Sequence, residues 1–338
     1  MSQPQDRAAR LRRRVARSVL PRLGVRVVRV EPGTFAVTRG RRLQTVDVDG
    51  GGRVVVPRRA GLEPAELGTG AVLLSSRNGR VRVTDVRPGD LLLNGKGTQE
   101  RHALGTKQHR AQEKVITNAL TIDHVMGVLA LYRASCVIDV GANQGGYATR
   151  LRRAGYRGPI VSFEPQPEVF RTLEKAARDD PAWTVHNVAL GRESTTMTMD
   201  QRPSQTGMSS LLPMSEFGRG STKAVDVVQV DVQVRRLDEL LDEVVPARAR
   251  RRLFLKMDTQ GYDLNAFAGL GERTAQVVAM QSELASIPMY EGMPLMRESL
   301  DAYEAAGFEV SALYPVRRQY RTARVVEWDC VMVRASAR

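Results

Sequence analysis

The sequence has few cysteines, and their positions argue against the sites that cysteines usually build. Among 338 residues only Cys136 and Cys330 occur, each inside an apolar run of the kind that forms a strand. Neither belongs to a C-x-x-C pair, so neither a zinc site nor a redox pair is indicated. We therefore expect two buried, reduced thiols and no disulfide.

Long hydrophobic runs are also missing. No stretch of about 18 apolar residues, the length that can cross a bilayer, occurs in the chain. The arginine-containing amino-terminal segment lacks the apolar core and the small-residue cleavage site of a signal peptide. We expect no transmembrane segment and a cytoplasmic protein.

Lysine is scarce, with 6 lysines against 45 arginines, yet the formal net charge is +14. The whole excess lies in residues 1–112, which hold 23 basic and 9 acidic side chains, while the rest of the chain is balanced. Such asymmetry is typical of a surface for nucleic acid, anionic lipid or an acidic glycan. It is equally typical of an arginine-rich composition that serves no specific partner, and the sequence leaves both interpretations open.

The same basic third predicts a small β-rich module. Short segments of alternating apolar and polar residues are separated by Gly, Pro and Asp turns, and Arg7–Leu20 has the spacing of an amphipathic helix. Residues 94–112 are polar and contain glycine, which predicts a linker, and helical periodicity follows. We therefore expect a basic amino-terminal module at 1–112 and a second domain at 113–338.

The second domain opens with a strand, a glycine turn, a helix and another strand. The apolar run 136–140 contains Asp139 and stops at Gly141, and the residues after the turn have helix-forming composition. The next apolar run, Ile160–Phe163, ends at Glu164. This order predicts a βαβ unit of a doubly wound α/β sheet, in which ligands bind at the carboxyl ends of the strands.

The glycine turn narrows the class of ligand. It has the form G-x-x-x-G from Gly141 to Gly145, so it matches neither the dinucleotide fingerprint G-x-G-x-x-G nor the phosphate-binding P-loop. The glycines let the backbone approach a ligand, and Glu164 can accept both hydroxyls of a ribose. Together with the acid inside the first strand, Asp139, this pattern suits a nucleoside without phosphates. S-adenosyl-L-methionine fits that description.

Five segments together resemble the FkbM-type S-adenosylmethionine-dependent methyltransferases. They are Asp139–Gly145 (DVGANQG), Ser162–Pro167 (SFEPQP), Asn187–Gly191 (NVALG), Leu255–Asp263 (LKMDTQGYD) and Gln281–Glu283 (QSE). The resemblance extends from about residue 115 to the carboxyl terminus, roughly two thirds of the chain. The sequence departs from the family pattern at Gln260, where Glu is more common, so an acid is missing there.

The resemblance implies a class I, Rossmann-like methyltransferase fold. This is a doubly wound, mostly parallel, seven-stranded sheet that ends in an antiparallel hairpin, here preceded by the basic β-rich module. It also implies S-adenosyl-L-methionine as the cofactor, held by the glycine turn, the acidic loop after the second strand and residues beside the adenine. The expected cofactor-binding residues are Asp139, Gly141, Asn143, Gly145, Glu164, Pro165, Asn187, Val188, Ala189 and Asp258.

Two later strands end in acids that can meet at the cofactor. Asp258 closes the apolar run Leu253–Met257, and Glu283 follows the next strand. A carboxylate placed there can take the proton of an attacking hydroxyl, or hold a divalent cation that lowers the pKa of that hydroxyl. We expect Asp258 to serve in this way with Lys256 and Glu283 assisting. The alternative is that Asp258 only caps a helix at Thr259–Leu270. Metal dependence stays open.

The expected function is O-methylation of a hydroxyl on a sugar, glycan or other small-molecule natural product. The first alternative is a nucleic-acid methyltransferase whose basic module grips phosphate, although the sequence has neither the Asn/Asp-Pro-Pro-Tyr/Phe motif of base-amine methylation nor a catalytic Cys-Pro pair. The second is a non-catalytic cofactor-binding scaffold, which the intact Asp139, Gly141, Glu164 and Asp258 argue against. Nucleic acid is thus not the expected partner, and both the acceptor and a homo-oligomeric state stay open.

Overall fold

The computed structural model describes short strands between residues 25 and 94, and then residues 107–222 and 225–337, apart from a few side chains in the first helix. The chain divides into two compact units, Met1–Ala103 and Leu104–Arg338. The helix expected at Arg7–Leu20 lies outside the described residues.

Short strands make up the described part of the amino-terminal unit, as predicted for a β-rich module. They form two antiparallel pairs and a three-stranded sheet that contains one antiparallel and one parallel pairing. Valine recurs in most of these segments, and β-branched residues favour extended backbone. The strands are β1 Val25–Glu31, β2 Thr34–Arg39, β3 Leu43–Val48, β4 Gly52–Pro57, β5 Leu62–Glu66, β6 Val72–Ser76 and β7 Leu91–Asn94.

The described part of the second unit alternates strands with helices. The strands are β8 Cys136–Val140, β9 Ile160–Phe163, β10 Trp183–His186, β11 Ala189–Leu190, β12 Thr195–Gln201, β13 Val228–Arg235, β14 Leu253–Met257, β15 Val277–Ala285, β16 Glu309–Gln319 and β17 Arg324–Val333. The helices are α1 Lys107–Leu131, α2 Gly146–Arg153, α3 Pro167–Ala177, α4 Glu216–Ser221, α5 Leu237–Val244, α6 Asp263–Ala268 and α7 Met296–Ala305.

Seven of these strands form one doubly wound sheet, as the sequence predicted. Their spatial order is β10-β9-β8-β14-β15-β17-β16. Neighbours from β10 to β15 run parallel, whereas β17 runs antiparallel to both β15 and β16. The strand order reverses between β8 and β14, which is the switch point where open α/β sheets bind ligands. The terminal antiparallel hairpin confirms the class I, Rossmann-like prediction.

Both faces of the sheet are buried, which explains why its central strands are almost purely apolar. Every residue of β8, β14 and β15 is buried. Because successive side chains point to opposite faces, Val137 and Phe254 pack under α1 to α3, while Ile138 and Leu255 pack under α5 to α7. Full burial of each such side chain contributes about 1.5–3 kcal/mol, so the layers hold the strand ends in fixed positions.

Both cysteines lie in this sheet as free, buried thiols, as predicted. Burial raises the pKa of the Cys136 thiol and of the Cys330 thiol to about 12. The two thiols therefore stay protonated at neutral pH and pack as small apolar groups.

The polar region between β10 and β14 contains a small second sheet that the sequence did not reveal. In it β13 pairs antiparallel with β12 and parallel with β11. After β12 come a single 3₁₀ turn at Thr206–Met208 and then α4, and their apolar side chains pack on Met289 and Tyr290 beyond the end of β15. Residues 201–222, whose sequence is largely polar and shows no clear periodicity, therefore cover the carboxyl edge of the main sheet.

Helix α1 begins at Lys107, so the predicted linker at 94–112 ends inside a helix. Residues 107–112 hold no Gly or Pro and contain good helix formers, which lets the helix extend ahead of its apolar periodicity. Within the parts of the chain that the structure covers, no helix combines the length and the apolar character needed to cross a membrane.

Candidate functional site

A cavity opens at the carboxyl ends of β8, β9 and β14, where the strand order reverses. We call it the switch-point cavity. Residues from the turns after these strands line it together with residues of the covering segment after β12. The predicted site residues in its lining are Gly141, Asn143, Glu164, Pro165, Val188, Ala189 and Asp258. The lining does not include the predicted residues Asp139, Gly145, Asn187, Lys256 and Glu283.

Gly141 brings the turn after β8 against the end of β14. Its φ is +72°, a left-handed conformation that favours glycine, and a Cβ at this position would lie 2.0 Å from the backbone oxygen of Asp258. The Asp258 amide in turn donates to the Val140 carbonyl at 3.1 Å. Any side chain at 141 would therefore separate the two strand ends that form the cavity.

Gly145, one of the expected cofactor-binding residues, lies outside the lining of the cavity. Its φ is +81°, and a Cβ would lie 2.7 Å from the indole of Trp183. Gly145 precedes α2, and its missing side chain lets the start of that helix pack on β10. The structure therefore explains this glycine by packing behind the cavity.

Glu164 presents a buried carboxylate to the cavity. Its Oε2 accepts the Asn143 amide at 2.8 Å, and its Oε1 accepts the Gln166 amide at 2.9 Å and the Gln166 side-chain Nε2 at 3.1 Å. Burial raises the pKa of Glu164, and the hydrogen bonds from Gln166 and Asn143 oppose that rise. A carboxylate can accept about four hydrogen bonds, so this one retains capacity for a ligand hydroxyl.

Asn187 fixes the loop that presents Glu164. Its Nδ2 donates to the backbone carbonyls of Glu164 and Pro165, at 2.8 and 3.1 Å. The adjacent Val188 and Ala189 supply apolar lining to the cavity. The Asn187 side chain thus shapes the cavity from behind the loop.

Lys256 and Asp139 form an ion pair beneath the cavity floor. Lys256 Nζ lies 3.0 Å from Asp139 Oδ1 and 3.8 Å from Asp258 Oδ2, and it donates to the Gly141 carbonyl at 3.1 Å. Burial opposes the charge of this ammonium, but the nearby carboxylates of Asp139 and Asp258 outweigh burial and raise the pKa of Lys256. Lys256 is therefore a fixed cation and cannot take up a proton at neutral pH.

Asp258 reaches the cavity with a side chain that is 42% exposed. Its Oδ1 accepts a hydrogen bond from Gln260 Nε2 at 3.0 Å. The following turn is closed by Asp263, whose Oδ1 accepts the Thr259 amide at 2.8 Å, while Tyr262 is the N-cap residue of the next helix and no side chain caps it. The helix α6 begins only at Asp263 because Gln260 and Gly261 have φ values of +55° and +96°.

Gln260 connects the two predicted catalytic acids. Its Nε2 donates to Asp258 Oδ1 and to Glu283 Oε2, both at 3.0 Å, and its Oε1 lies 2.9 Å from the Tyr290 hydroxyl. Burial and then the charges of Glu327 and Asp258 raise the pKa of Glu283 well above its usual value. Glu283 therefore holds its proton more tightly than an ordinary carboxyl group. It acts on the cavity through Gln260.

The covering segment supplies lining residues that the sequence analysis missed. They are Thr206, Gly207, Ser209 and Leu211, and Met199 and Tyr262 also take part. Thr206 closes the segment on the glycine turn, because its hydroxyl donates to Asn143 Oδ1 at 3.2 Å and its carbonyl accepts Gln166 Nε2 at 3.3 Å. The only signal in the sequence was the position of an irregular polar segment between two strands.

The charged side chains that line the switch-point cavity are all acidic. Glu164 and Asp258 line it, whereas none of its lining residues is Arg or Lys. Phe163, Val188, Leu190 and Met199 add apolar surface. Such a lining suits a ligand with hydroxyls, an apolar ring and a positive charge, and it disfavours phosphate.

Among the residues whose positions are described, no cluster of three or more His, Cys, Asp or Glu side chains is placed to hold a metal ion. The carboxylates Asp258 and Glu283 are instead bridged by the Gln260 amide.

Comparison with known proteins gives a consistent result. The sequence profile of the methyltransferase FkbM domain matches residues 139–310. A protein described as methyltransferase 1 of Beauveria bassiana (strain ARSEF 2860) is 26% identical over 176 residues, which is 48% of this chain and 69% of that protein. A protein described as methyltransferase sdnD of Sordaria araneosa is 25% identical over 189 residues, covering 50% of this chain and 73% of that protein.

A solved structure of a methyltransferase FkbM from Methylobacillus flagellatus KT also aligns. The identity is 13%, the TM-score is 0.37, and the alignment covers 59% of this chain but only 43% of that one.

Proposed function

The chain belongs to the FkbM methyltransferase family, and we propose that it transfers a methyl group from S-adenosyl-L-methionine to a hydroxyl oxygen of a sugar, glycan or other small-molecule natural product. The observation that supports this proposal best is the lining of the switch-point cavity, in which two carboxylates and apolar side chains occur without Arg or Lys. The acceptor is inferred from the exposed carboxylate of Asp258 at the edge of that cavity.

The residues present fit S-adenosyl-L-methionine. Glu164 offers a buried acceptor to ribose hydroxyls, and Val188 and Ala189 offer an apolar surface to the adenine. Gly141 lets the turn after β8 pack against the Asp258 backbone, which holds together the two strand ends that form the cavity. A positively charged sulfonium is favoured near Asp258, since opposite charges attract strongly where water is excluded. When bound, the cofactor supplies an activated methyl group that an acceptor oxygen displaces in line.

Asp258 is our candidate for the catalytic base. Its Oδ atoms are half-exposed at the cavity, so they can take the proton of an acceptor hydroxyl as that oxygen attacks. Gln260 holds Oδ1 in place, and the fixed cation Lys256 lies 3.8 Å from Oδ2. Lys256, Asp139 and Glu283 are therefore positioning groups in this proposal, and only Asp258 contacts the reacting hydroxyl.

Calorimetric titration with S-adenosyl-L-methionine tests the cofactor part of the proposal. We expect the affinity to fall about 30-fold or more in Glu164→Ala, because a buried, charge-assisted hydrogen-bond partner is removed. Glu174→Ala serves as the matched control, since Glu174 is exposed on α3. No binding to folded protein, or an equal affinity in Glu164→Ala, would refute the assignment of the cavity.

We also infer that residues 1–112 form a basic module separate from a methyltransferase domain at 113–338, in a cytoplasmic protein. The charge excess in 1–112 and the division of the chain after Ala103 support this organisation. Limited proteolysis followed by mass spectrometry should give a resistant fragment that begins between about residues 94 and 113. Cleavage inside 113–338 that is as fast as cleavage between residues 94 and 113 would contradict the boundary. The cytoplasmic location is tested separately, by fractionation of the source cells.

A further inference from the structure

A second concave surface lies on the second unit, between α1 and the β16–β17 hairpin. Five basic side chains and one acidic side chain stand out in its lining, and we call it the basic groove: Arg110, Lys114, Arg317, Arg318, Arg321 and Asp329. This part of the chain has a balanced composition, so a concentration of cations in one groove is a local feature that net charge does not reveal.

Part of this charge is neutralised within the groove. Arg317 Nε lies 2.5 Å from the buried Glu327 Oε2, and Arg318 Nε lies 3.0 Å from Glu113 Oε1. These ion pairs hold two guanidinium groups in fixed positions on the β16–β17 hairpin.

Of the other three basic side chains, Arg110 lies over the Tyr320 ring, with its guanidinium carbon 4.4 Å from the ring centroid, and Lys114 and Arg321 supply further cationic surface. Both side chains are exposed, and no carboxylate among the described residues forms an ion pair with either of them. The groove therefore presents two unneutralised charges at its rim, next to guanidinium groups whose orientation is set. This combination favours a carboxylate or a phosphate group, which Arg binds through its planar donors and Lys as a point charge.

One 3₁₀ turn contributes to the lining of the switch-point cavity and also contacts a residue of the groove. In the Thr206–Met208 turn, Thr206 and Gly207 line the cavity, while Met208 Sδ lies 3.6 Å from Arg317 Nη2 in the groove.

A chain of side chains also connects the two regions. Asp258 is joined to Glu283 through Gln260 at 3.0 Å on each side, and Glu283 is paired across strands with Asp329, which lines the groove. Residues paired in this way place their side chains on the same face of a sheet. Asp258 lines the cavity and is therefore linked to the groove through Gln260, Glu283 and Asp329.

We propose that the basic groove binds an anionic group of the acceptor, a carboxylate or a phosphate, while a hydroxyl of the same molecule meets Asp258. This inference rests on the proposed methyl transfer and adds the charge of the acceptor to it. A neutral acceptor would gain nothing from Lys114 and Arg321, whereas an anion attached close to the reacting hydroxyl would be oriented by them.

Binding of simple anions tests the proposal without an identified acceptor. Inorganic phosphate and malonate are titrated calorimetrically into the full-length protein with saturating S-adenosylhomocysteine, at constant ionic strength. The test variant is Lys114→Ala/Arg321→Ala. The control is Lys175→Ala/Arg178→Ala, which removes the same two charges from exposed positions at the end of α3.

We expect wild type and the control to bind at least one of the two anions, with affinity about tenfold weaker in Lys114→Ala/Arg321→Ala, as two charge-assisted contacts are lost. Binding of phosphate alone indicates a phosphorylated acceptor, and binding of malonate alone indicates a carboxylated one. Either result supports the proposal.

Three results would overturn it. They are no binding of either anion, equal binding by all three proteins, and tight binding of a single-stranded RNA that the test variant loses while neither small anion binds. Cofactor affinity is measured on the same samples. If the cofactor binds and the anions do not, the groove assignment fails while the proposed function stands, whereas loss of cofactor binding in wild type removes the proposed function itself.

Discussion

The switch-point cavity and the basic groove adjoin the same 3₁₀ turn but are built in opposite ways. The cavity is lined by backbone and by short or buried side chains, such as Gly141 and Glu164, whose positions are fixed by hydrogen bonds to neighbouring strand ends. The groove is lined by long cationic side chains, and three of them, Arg110, Lys114 and Arg321, are exposed. A rigid acidic site next to an adaptable basic one fits an enzyme that binds one constant cofactor and a separate anionic acceptor.

The largest expected effect comes from Asp258, which lines the cavity and is linked to the groove through Gln260 and Glu283. Asp258→Asn should lower kcat by about 10²–10⁴, because the proton acceptor is lost while the shape of the site is retained. The measurement is formation of S-adenosylhomocysteine with an acceptor found by screening hydroxyl compounds with and without anionic groups. Cofactor affinity should change far less than kcat.

Two outcomes would change the role of Asp258. Full turnover in Asp258→Asn would remove it from the chemistry. Loss of wild-type turnover with a chelator, restored by Mg²⁺, would make the carboxylate a cation ligand instead of a base.

The rigidity of the cavity is tested by Gly141→Ala. The added Cβ would lie 2.0 Å from the Asp258 backbone oxygen and would adopt a left-handed conformation, so we expect a loss of about 3 kcal/mol in unfolding free energy and of cofactor binding. Gly292→Ala is the matched control, because Gly292 has the same φ of +72° and a Cβ added there would meet no atom within 4 Å. It should cost only about 1–2 kcal/mol. Equal losses in the two variants would show that close packing at Gly141 is unimportant.

Asp329, which lines the groove, should make the stability of the protein depend on pH. Burial, and then the charge of Asp258, raises the pKa of Asp329 to about 6 from its ordinary 3.8. Between these values the folded protein holds a proton that the unfolded chain has released, so stability falls as pH rises from about 4 through about 6. Asp329→Asn removes this loss, and its stability relative to wild type should increase by about 1–3 kcal/mol from pH 4 to pH 7.

Urea unfolding at a series of pH values measures the difference between Asp329→Asn and wild type. The control is Asp301→Asn, at an exposed position on α7, which should follow the wild-type pH profile. Parallel profiles for wild type and Asp329→Asn would show that Asp329 is not a buried carboxyl that resists ionisation.

The same contrast explains what the sequence predicted and what it did not. Runs such as Ile160–Phe163 are local signals, because a strand buried on both faces must be apolar throughout, and the acid at its end then lies at the ligand edge of the sheet. The groove and Gln260 depend on contacts between distant segments. Gln260 meets Glu283 and Tyr290, and no spacing along the chain reveals these encounters.

Near Asp258, the helix start predicted from the sequence differs from the observed one because of local backbone conformation. The composition after this residue predicted a helix from Thr259, but two left-handed residues, Gln260 and Gly261, delay its start to Asp263. Non-glycine residues rarely adopt positive φ, so sequence patterns give such a position little weight. Because the helix begins only at Asp263, Gln260 lies in a turn, from which its amide donates to both Asp258 and Glu283.

The smallest expected effect is the difference between the two regions in how strongly salt weakens ligand binding. Raising the ionic strength from 0.1 to 1 M shortens the Debye length from about 10 to about 3 Å, which screens exposed charges strongly and buried ones weakly. Anion binding in the groove should therefore weaken severalfold, whereas cofactor binding beside the buried Glu164 should change by less than about twofold. Calorimetric titration of both ligands at the two salt concentrations provides the comparison, with NaCl as the added salt. If both affinities fell equally, the cavity would depend on exposed charge as the groove does, and the contrast between a rigid buried site and an adaptable exposed one would be wrong.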